Sequence, residues 1–487
     1  MARWRIRSIA LCLLVSMLAL VALSGCGIKT REQTDADGPG SGTAAEQPDG
    51  SDPTDVEPAS PEAGDSRPAD SGSDPSDADP SEPVDAGAPS ADSEEARTGG
   101  SSKDPEPADD PVQQTEDSGM VPGINIEKQP IPDNEALAFV RDMKVGWNLG
   151  NTFDAVDATW LTNKLDYEKA WVGVKTNEGM IKAVKDAGFN TIRIPVSWHN
   201  HVSGDDHKID TDWLDRVQEV VDYAVKYDLY IIINIHHDMG KDYIYTSKEY
   251  LDQSVHYVRS IWSQLAERFR DYSHRLIFES LNEPRMVGHN NEWWLDLSNK
   301  DCREAVECLN ELNQVFVDTV RSSGGNNKDR YLMVPGYAAS YAGALADGFA
   351  IPKDTVDNRI IVSVHAYTPY NFALDAGGVR TFDINRPAST NEIDYFMTEL
   401  YKKFISNGIP VVIGEFGARR KGDNLQDRVD FTAYYVASAS ARGMTCIWWD
   451  NHGFSGDGEL FGLLDRRYLN WKFPEIVEAM MKYAQKP

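Results

Sequence analysis

The sequence is poor in several features, and each shortage narrows what the chain can do. It has five cysteines in 487 residues and no Cys-x-x-Cys pair, which excludes a metal site built from clustered cysteines. Lysine and arginine number 48 against 77 acidic residues, for a formal net charge of −29. No basic patch indicates nucleic acid binding, and the excess acid disfavours anionic polymers as substrates. A neutral substrate is therefore expected.

The longest apolar run, Ile9 to Leu23, is short for a membrane-spanning helix. Three arginines precede it and small residues follow it, which is typical of an export signal over residues 1–26. The stretch "LSGC" resembles the lipobox of bacterial lipoproteins, in which the cysteine becomes the lipidated N-terminus. The resemblance predicts lipidation at Cys26; the alternative is an ordinary secretory signal with a chance cysteine.

Residues 27–122 contain no Phe, Trp or Tyr. Asp, Glu, Ser, Pro, Ala and Gly dominate them, as in "SDPSDADPSEPVDAG", so they cannot bury enough apolar surface to offset the entropy of ordering. Like charges and prolines keep such a segment extended. We interpret it as a disordered acidic linker between Cys26 and a working domain at 123–487.

Short apolar runs alternate with helical patterns throughout residues 123–487. Continuous apolar runs are typical of strands buried on both faces. Eight such runs, separated by helical stretches, predict a (β/α)8 TIM barrel. In that fold the functional residues lie where the strands end. The predicted strands cover residues 144–150, 190–196, 230–236, 275–282, 330–336, 360–366, 410–416 and 444–450.

Polar and aromatic side chains cluster at the ends of these predicted strands. Glu283 ends the fourth strand and Glu415 the seventh, and these two strands can face each other across a barrel mouth. Paired carboxylates are what cleavage of a glycosidic bond requires: one donates a proton and the other attacks the sugar or activates water. Tryptophans, of which the chain has twelve, stack on the apolar faces of sugar rings.

The same residues carry a family resemblance that covers the whole predicted barrel. "SLNEPR" resembles the acid/base signature of glycoside hydrolase family 5, and "VVIGEFG" its nucleophile strand. "GWNLGNTFDA" and "CIWWDN" look most like subfamily 4 endoglucanases. The resemblance implies a retaining endo-β-1,4-glucanase acting on cellulose-type, mixed-linkage or xyloglucan backbones by double displacement.

Residue roles follow from the resemblance. Glu283 is expected to be the proton donor and then the base, with a pKa raised by the charge of Glu415, the expected nucleophile. Supporting or substrate-binding roles are expected for six residues: Arg193, His236, Asn282, His365, Tyr367 and Trp449. Arg193 and Tyr367 would bond Glu415, and Trp449 rather than Trp448 would face the sugar, because neighbouring side chains on a strand alternate in direction.

Several predictions concern the surroundings of the site. Subsite contacts are expected from four residues: Asn148, Trp160, Trp171 and Trp198. Glu279, four residues before Glu283, is expected on the same face one layer down, as a partner of Arg193. Cys302 and Cys308 could form a disulfide outside the cell, but their spacing places them on different faces of a continuous helix.

Some alternatives remain open at this stage. A xylanase or mannanase would use the same machinery, and a surface glycan-binding lipoprotein would have lost catalysis. No cofactor and no catalytic metal are expected, although His236 and His237 stand at a strand end as metal ligands do. We expect a monomer outside the cell, tethered to the membrane through Cys26, with a β-glucan as its partner and no nucleic acid.

Overall fold

A computed structural model describes residues 120–484 of the chain. The predicted signal peptide, the lipidation at Cys26 and nearly all of the predicted linker lie outside the described residues. Eight strands form the core: β1 Val145–Leu149, β2 Thr191–Ile194, β3 Tyr230–Asn234, β4 Leu276–Glu279, β5 Leu332–Ser340, β6 Ile360–His365, β7 Val411–Phe416 and β8 Thr445–Asp450.

The eight strands close into one barrel in the order β1-β8-β7-β6-β5-β4-β3-β2, and every neighbouring pair is parallel. The predicted (β/α)8 barrel and all eight predicted strands are confirmed. The fifth strand runs further than predicted, to Ser340, with a register shift between Pro335 and Ser340. Two further pairs of two-residue strands, Val202–Ser203 with Lys208–Ile209 and Leu464–Asp465 with Asn470–Trp471, lie outside the barrel.

Helices surround the barrel and bury one face each. They are α1 Glu135–Asp142, α2 Glu178–Asp186, α3 Thr211–Lys226, α4 Leu251–Arg268, α5 Lys300–Ser322, α6 Tyr341–Leu345, α7 Tyr370–Ala373, α8 Pro387–Lys403, α9 Leu425–Ala441 and α10 Pro474–Tyr483. Helices lie between successive barrel strands along the chain, as the alternation of apolar runs with helical patterns predicted. Trp213 on α3 and Trp262 on α4 are buried, as core residues should be. Within the described residues, no helix has the length and apolarity needed to cross a membrane.

Side-chain alternation fills the barrel interior in layers. The bottom layer is apolar and packs against α1, which closes that end; from the strands it includes Ile232, Ile277, Met333, Ile361, Val412 and Ile447. Two residues further along several strands, the inward side chains are polar. This second layer is formed by Arg193, Asn234, Glu279 and Ser363, all fully buried. The apolar layer separates these polar groups from the closed end of the barrel. The polar layer therefore lies directly below the residues at the open end and can support them.

Strand β7 breaks the alternation at the residue that matters most. Val412 and Gly414 point inward, so a regular strand would direct Glu415 outward, toward the helices. The pairing register shifts on both sides of this point, between Val364 and His365 on β6 and between Cys446 and Trp448 on β8. Such a bulge re-aims a side chain, and here it turns Glu415 into the barrel mouth.

The described cysteines are all free and buried: Cys302, Cys308 and Cys446. Cys302 and Cys308 both lie on the continuous helix α5, so the disulfide between them that the sequence left open is not formed. Their thiols pack among apolar side chains as small hydrophobic groups.

Candidate active site

The end of β4 presents an amide and a carboxylate to the barrel mouth. Asn282 is buried, and its backbone N–H donates to Ile235 O at 2.9 Å, which ties this turn to the end of β3. The Glu283 side chain retains 18% exposure, so it can be reached by a substrate. Arg285 donates to the Glu283 carbonyl oxygen at 2.9 Å and stacks over the Trp293 ring at 3.9 Å. Arg285, for which no role was predicted, thus supports Glu283 from within the same motif, "SLNEPR".

Arg193 on β2 is the hub of the polar layer and is fully buried. Its Nε donates to Glu279 at 2.8 Å, and one terminal nitrogen donates to Glu415 at 2.8 Å. The other terminal nitrogen donates to Asn282 Oδ1 at 2.7 Å. The predicted contacts of Arg193 with Glu279 and Glu415 are therefore present. One guanidinium joins the ends of β2, β4 and β7, which its planar fork suits better than a lysine would.

Both carboxylate oxygens of Glu415 are held. Oε1 accepts from Arg193, and Oε2 accepts from the Tyr367 hydroxyl at 2.9 Å, as predicted. Hydrogen bonds to a charged acceptor are short and strong, so the two donors fix the carboxylate plane as well as its charge.

The two candidate carboxylates lie close to each other. His365 lies between them, with Nδ1 at 3.0 Å from Glu283 Oε1 and at 3.6 Å from Glu415 Oε1. One carboxylate oxygen of Glu283 and one of Glu415 lie within 4.8 Å of each other. Retaining glycosidases have carboxyl groups about 5–5.5 Å apart, and inverting enzymes about 6.5–9.5 Å. The spacing of Glu283 and Glu415 is therefore on the side of the retaining enzymes.

Contacts around Glu283 reverse the expected direction of its pKa. Burial acts to raise the pKa of Glu283, but the hydrogen bond and charge of His365 outweigh it and hold the pKa below its usual value. The pKa of His365 is correspondingly raised: burial lowers it, and the charge of Glu415 with the hydrogen bond to Glu283 more than compensates. The expectation of a raised Glu283 pKa in the free enzyme is therefore wrong. The Glu283 carboxyl group and the His365 imidazole therefore share one proton across their hydrogen bond.

Burial dominates at Glu415 and raises its pKa above the usual value. The positive charges of His365 and Arg193 and the hydrogen bond from Tyr367 act in the opposite direction. Without these three contacts, a carboxyl group this deeply buried would take up a proton. They are the contacts that favour an ionised Glu415 at the barrel mouth.

Trp449 and His236 form a flat aromatic surface at the ends of β8 and β3, called the Trp449 platform below. Trp449 at the end of β8 lies parallel to the His236 ring, with 5.8 Å between ring centroids and 3° between planes. Trp448, the next residue back, is fully buried and donates from its indole to Phe461 O at 2.9 Å. The prediction that Trp449 faces the site and Trp448 the opposite side is confirmed.

Asn234 determines which nitrogen of His236 carries a proton. Its Oδ1 accepts from the Val196 N–H at 3.1 Å, so its Nδ2 is the donor, to Glu279 at 3.0 Å and to His236 Nδ1 at 3.1 Å. His236 Nδ1 is thus an acceptor. Burial, with the positive charges nearby, lowers the pKa of His236 far enough to keep it neutral. The neutral ring then carries its hydrogen on Nε2, which can donate to a sugar hydroxyl.

Two of the four predicted subsite contacts are wrong. The Trp198 ring is fully buried, and its indole nitrogen donates to Asn234 O at 3.0 Å. Asn148 is also fully buried and accepts from Arg193 at 3.0 Å, so it supports the polar layer and cannot touch a sugar. Asn148 lies within β1 and Trp198 four residues after β2, and packing directs both side chains into the interior. Trp171 is 41% exposed and lies 6.0 Å from the His237 ring, whereas Trp160 is 67% exposed; sugar contacts by these two stay predictions.

Sequence reasoning overlooked a buried arginine beneath the Trp449 platform. Arg466 donates to Gly150 O at 2.9 Å, and also to Asp450 O, so it ties the end of β1 to the end of β8. A Cβ on Gly150 would lie 2.9 Å from the Trp449 ring, which explains the glycine at this position. Arg466 lies in a loop sixteen residues beyond Asp450, and no periodicity marks it.

Two groups of side chains have the number and spacing of metal ligands, among the residues described: Asp154 with His236 and His237, and Glu283 with His365 and Glu415. In the first group, His236 Nδ1 already accepts from Asn234 and Nε2 carries the hydrogen, which does not suit a metal ligand. In the second, Arg193 and Tyr367 occupy the Glu415 oxygens. Neither donor set fits a metal ion.

The barrel, the closely spaced carboxylates and the aromatic platform define a glycoside hydrolase of the (β/α)8 class. Residues 152–455 match the family model described as Cellulase (glycosyl hydrolase family 5). The chain belongs to glycosyl hydrolase family 5.

Relatives agree over the same region. The chain is 43% identical over 353 residues to Endoglucanase 1 of Ruminococcus albus, covering 72% of this chain and 82% of that protein. A family 5 lichenase from Caldicellulosiruptor sp. F32 has 60% identity and a TM-score of 0.74, covering 75% of this chain and 99% of the lichenase. A GH5-4 broad specificity endoglucanase from Ruminococcus champanellensis, solved with bound cellotriose, has 42% identity and a TM-score of 0.67. The match covers 72% of this chain and 100% of that endoglucanase.

Proposed function

We propose that the protein is a retaining endo-β-1,4-glucanase in which Glu415 is the nucleophile and Glu283 the acid and base. The observation that carries this proposal is the separation of less than 4.8 Å between their carboxylate oxygens, with Arg193 and Tyr367 holding Glu415. Only the shorter carboxylate spacing suits double displacement.

In the first step, a Glu415 oxygen attacks the anomeric carbon while Glu283 passes a proton to the departing glycosidic oxygen. The bond between that carbon and oxygen breaks, and the sugar is left as an ester of Glu415. His365 is a positioning residue, because its Nδ1 contacts Glu283 at 3.0 Å and shares the transferable proton. Asn282, which accepts a hydrogen bond from Arg193, would bond the sugar 2-hydroxyl. This hydrogen bond to the sugar strengthens in the transition state.

In the second step, Glu283 takes a proton from water, whose oxygen attacks the anomeric carbon and releases Glu415. The ester carries no negative charge, so its formation removes the charge that favours a proton on Glu283 and His365. Their proton affinity falls at the stage when Glu283 must act as a base. The second inversion restores the original anomeric configuration.

A β-1,4-glucan backbone is the substrate that the relatives favour. The names endoglucanase and lichenase, and a neighbour with bound cellotriose, support a glucan over a xylan or mannan. The flat Trp449 platform suits the apolar face of an equatorial sugar ring. The complete set of Glu283, Glu415, Arg193 and Tyr367 argues against an inactive glycan-binding protein.

Release of reducing ends from soluble barley β-glucan tests the proposal. The wild type should produce new reducing ends, Glu415→Ala should produce none, and Glu283→Ala should lose at least about 10²-fold in rate. Glu399→Ala, at a partly exposed position on α8 where Glu399 pairs with Lys402, is the matched control and should keep wild-type activity. Normal cleavage by Glu415→Ala would refute the assignment. Parallel assays on xyloglucan, xylan and glucomannan would identify the preferred backbone.

We also propose that the signal is cleaved just before Cys26, so that the lipidated Cys26 becomes the N-terminal residue, and that an acidic linker over residues 27–122 carries the barrel outward from the membrane as a monomer. The support is the "LSGC" motif after an apolar run and the absence of aromatic residues from the linker. Cys26→Ser should move the enzyme from the membrane fraction to the soluble fraction. Retention in the membrane fraction would contradict lipidation at this residue.

A further inference from the structure

Beside the Trp449 platform lies a cavity of about 350 Å³, walled by the loops that follow β1 and β8. Its lining includes the Trp171 ring and the polar side chains of Asn151, Asn451 and Ser455. Asn151 follows Gly150, which packs against Trp449, and Asn451 comes two residues after Trp449. The cavity therefore adjoins the platform, and an aromatic ring with amide groups is suited to a sugar.

One residue gives this cavity its charge. Of the ten residues that line it, all within the described part of the chain, Glu459 is the one with a formal charge at neutral pH. His452 also lines the cavity, but burial and the charge of Arg466 lower its pKa, so it is neutral. The Glu459 side chain is exposed to solvent, so its carboxylate is accessible from the cavity.

The backbone around Glu459 is held in place from two sides. Asn451 donates to Glu459 O at 2.9 Å from the end of β8. From the loop after β7, Arg419 donates to Gly458 O at 2.6 Å, and the Arg420 N–H donates to Leu460 O at 2.9 Å. Three successive carbonyl groups are thus anchored, so the loop presents Glu459 at a fixed place.

The charges of the proposed catalytic carboxylates reach Glu459. Although Glu459 keeps access to solvent, the protein around it partly desolvates its carboxylate and raises its pKa; Arg419 opposes this rise, and the negative charges of Glu415 and Glu283 add to it. Three carboxylates therefore share this side of the cleft, and two of them are already committed to Arg193 or His365. A substrate group that entered the cavity with its own negative charge would be repelled by Glu459, the one charged residue of the ten that line the cavity.

We propose that Glu459 is a specificity-determining residue, which favours neutral glucan chains and disfavours chains whose sugars carry carboxylate substituents. As an acceptor, its carboxylate bonds the hydroxyl groups of a neutral sugar seated on Trp171. Towards a carboxylated sugar, the same charge is repulsive. The inference rests on the proposed glucanase function and names a residue that selects among glucan chains.

The test compares kcat/KM on carboxymethylcellulose with kcat/KM on barley β-glucan for each variant at low salt. Glu459→Gln should raise the ratio of the first value to the second by about three- to tenfold. In about 0.5 M NaCl the gain should largely disappear, because exposed charges are screened. Glu459→Asp keeps the charge and should keep a ratio near that of the wild type.

Glu475→Gln is the matched control, since it removes the same charge from the exposed surface of α10. Its ratio should equal that of the wild type. An unchanged ratio in folded Glu459→Gln, a gain that persists in high salt, or an equal gain in Glu475→Gln would each overturn the inference. If the wild type cleaved neither substrate, the proposed function itself would have failed.

Discussion

Replacing Tyr367 by Phe removes the hydroxyl group that donates a hydrogen bond to the Glu415 carboxylate, and changes little else. The hydroxyl donates to Oε2 at 2.9 Å, while the Tyr367 ring packs against Phe461 at 5.4 Å, a contact that Phe keeps. Arg193 still holds Oε1 in the variant. The change therefore isolates a single charge-assisted hydrogen bond.

The size of the expected effect on activity follows from the contribution of that hydrogen bond to the ionised state of Glu415. A hydrogen bond to a charged group contributes roughly 1.5–3 kcal/mol, and about 1.4 kcal/mol corresponds to one pKa unit. Tyr367 lowers the pKa of Glu415, so the variant should raise it by about one unit. Because Glu415 must be ionised to attack, activity is lost as the pH falls through this pKa. The acid limb of the kcat/KM profile should move up by about one pH unit, and kcat/KM at the optimum should fall about 10- to 100-fold.

The assay is initial-rate hydrolysis of an aryl cellobioside between pH 4 and 8. Tyr434→Phe is a matched control, because its hydroxyl donates to the Asp394 carboxylate at 2.6 Å on the outer helices. It should lose some stability and keep the wild-type pH profile. An unshifted acid limb in Tyr367→Phe, or the same shift in both variants, would refute this account of how Glu415 stays ionised.

Three further variants probe the support of the site. Arg193→Met leaves the Glu279 carboxylate buried without its cation, and urea midpoints should show a loss of about 3–5 kcal/mol in the free energy of unfolding. Gly150→Ala places a methyl group 2.9 Å from the Trp449 ring, and steady-state kinetics on β-glucan should show KM raised several-fold. Burial lowers the pKa of His201 to about 3, so the unfolded chain takes up this proton first and stability falls as the pH drops below about 6.5. His201→Phe should recover about 3 kcal/mol of that loss between pH 7 and 4.5, as measured by denaturant unfolding at both pH values.

Much of the fold could be predicted because its signals are local. Continuous apolar runs mark strands buried on both faces, and the eight runs correspond to the eight barrel strands. Alternation placed Trp449 in the site and Trp448 outside it, and placed Glu279 beneath Glu283 beside Arg193. The direction of each of these side chains depends only on neighbouring residues along its own strand.

The features that escaped prediction depend on contacts between distant segments. Trp198 and Asn148 stand at strand ends as site residues do, but their neighbours from other strands bury them. The direction of the Glu283 pKa depends on His365, 82 residues away in sequence. Arg466 and Glu459 belong to loops whose positions only the closed barrel defines.

Glu415 was identified for an incomplete reason. Its position at the end of a predicted strand, together with the family motif, identified it, but alternation along β7 directs it away from the mouth. The bulge that turns it inward shows in the register between β7 and its two neighbours, and a single sequence contains no pairing register.

The most direct test of double displacement is to trap the sugar on the nucleophile. A 2-deoxy-2-fluoro-β-cellobioside with a good leaving group should inactivate the enzyme and form a stable ester, located by peptide mass spectrometry. The account predicts the label on Glu415 and none in Glu415→Gln. A label on Glu283, or turnover that continues with no labelled carboxylate, would contradict it.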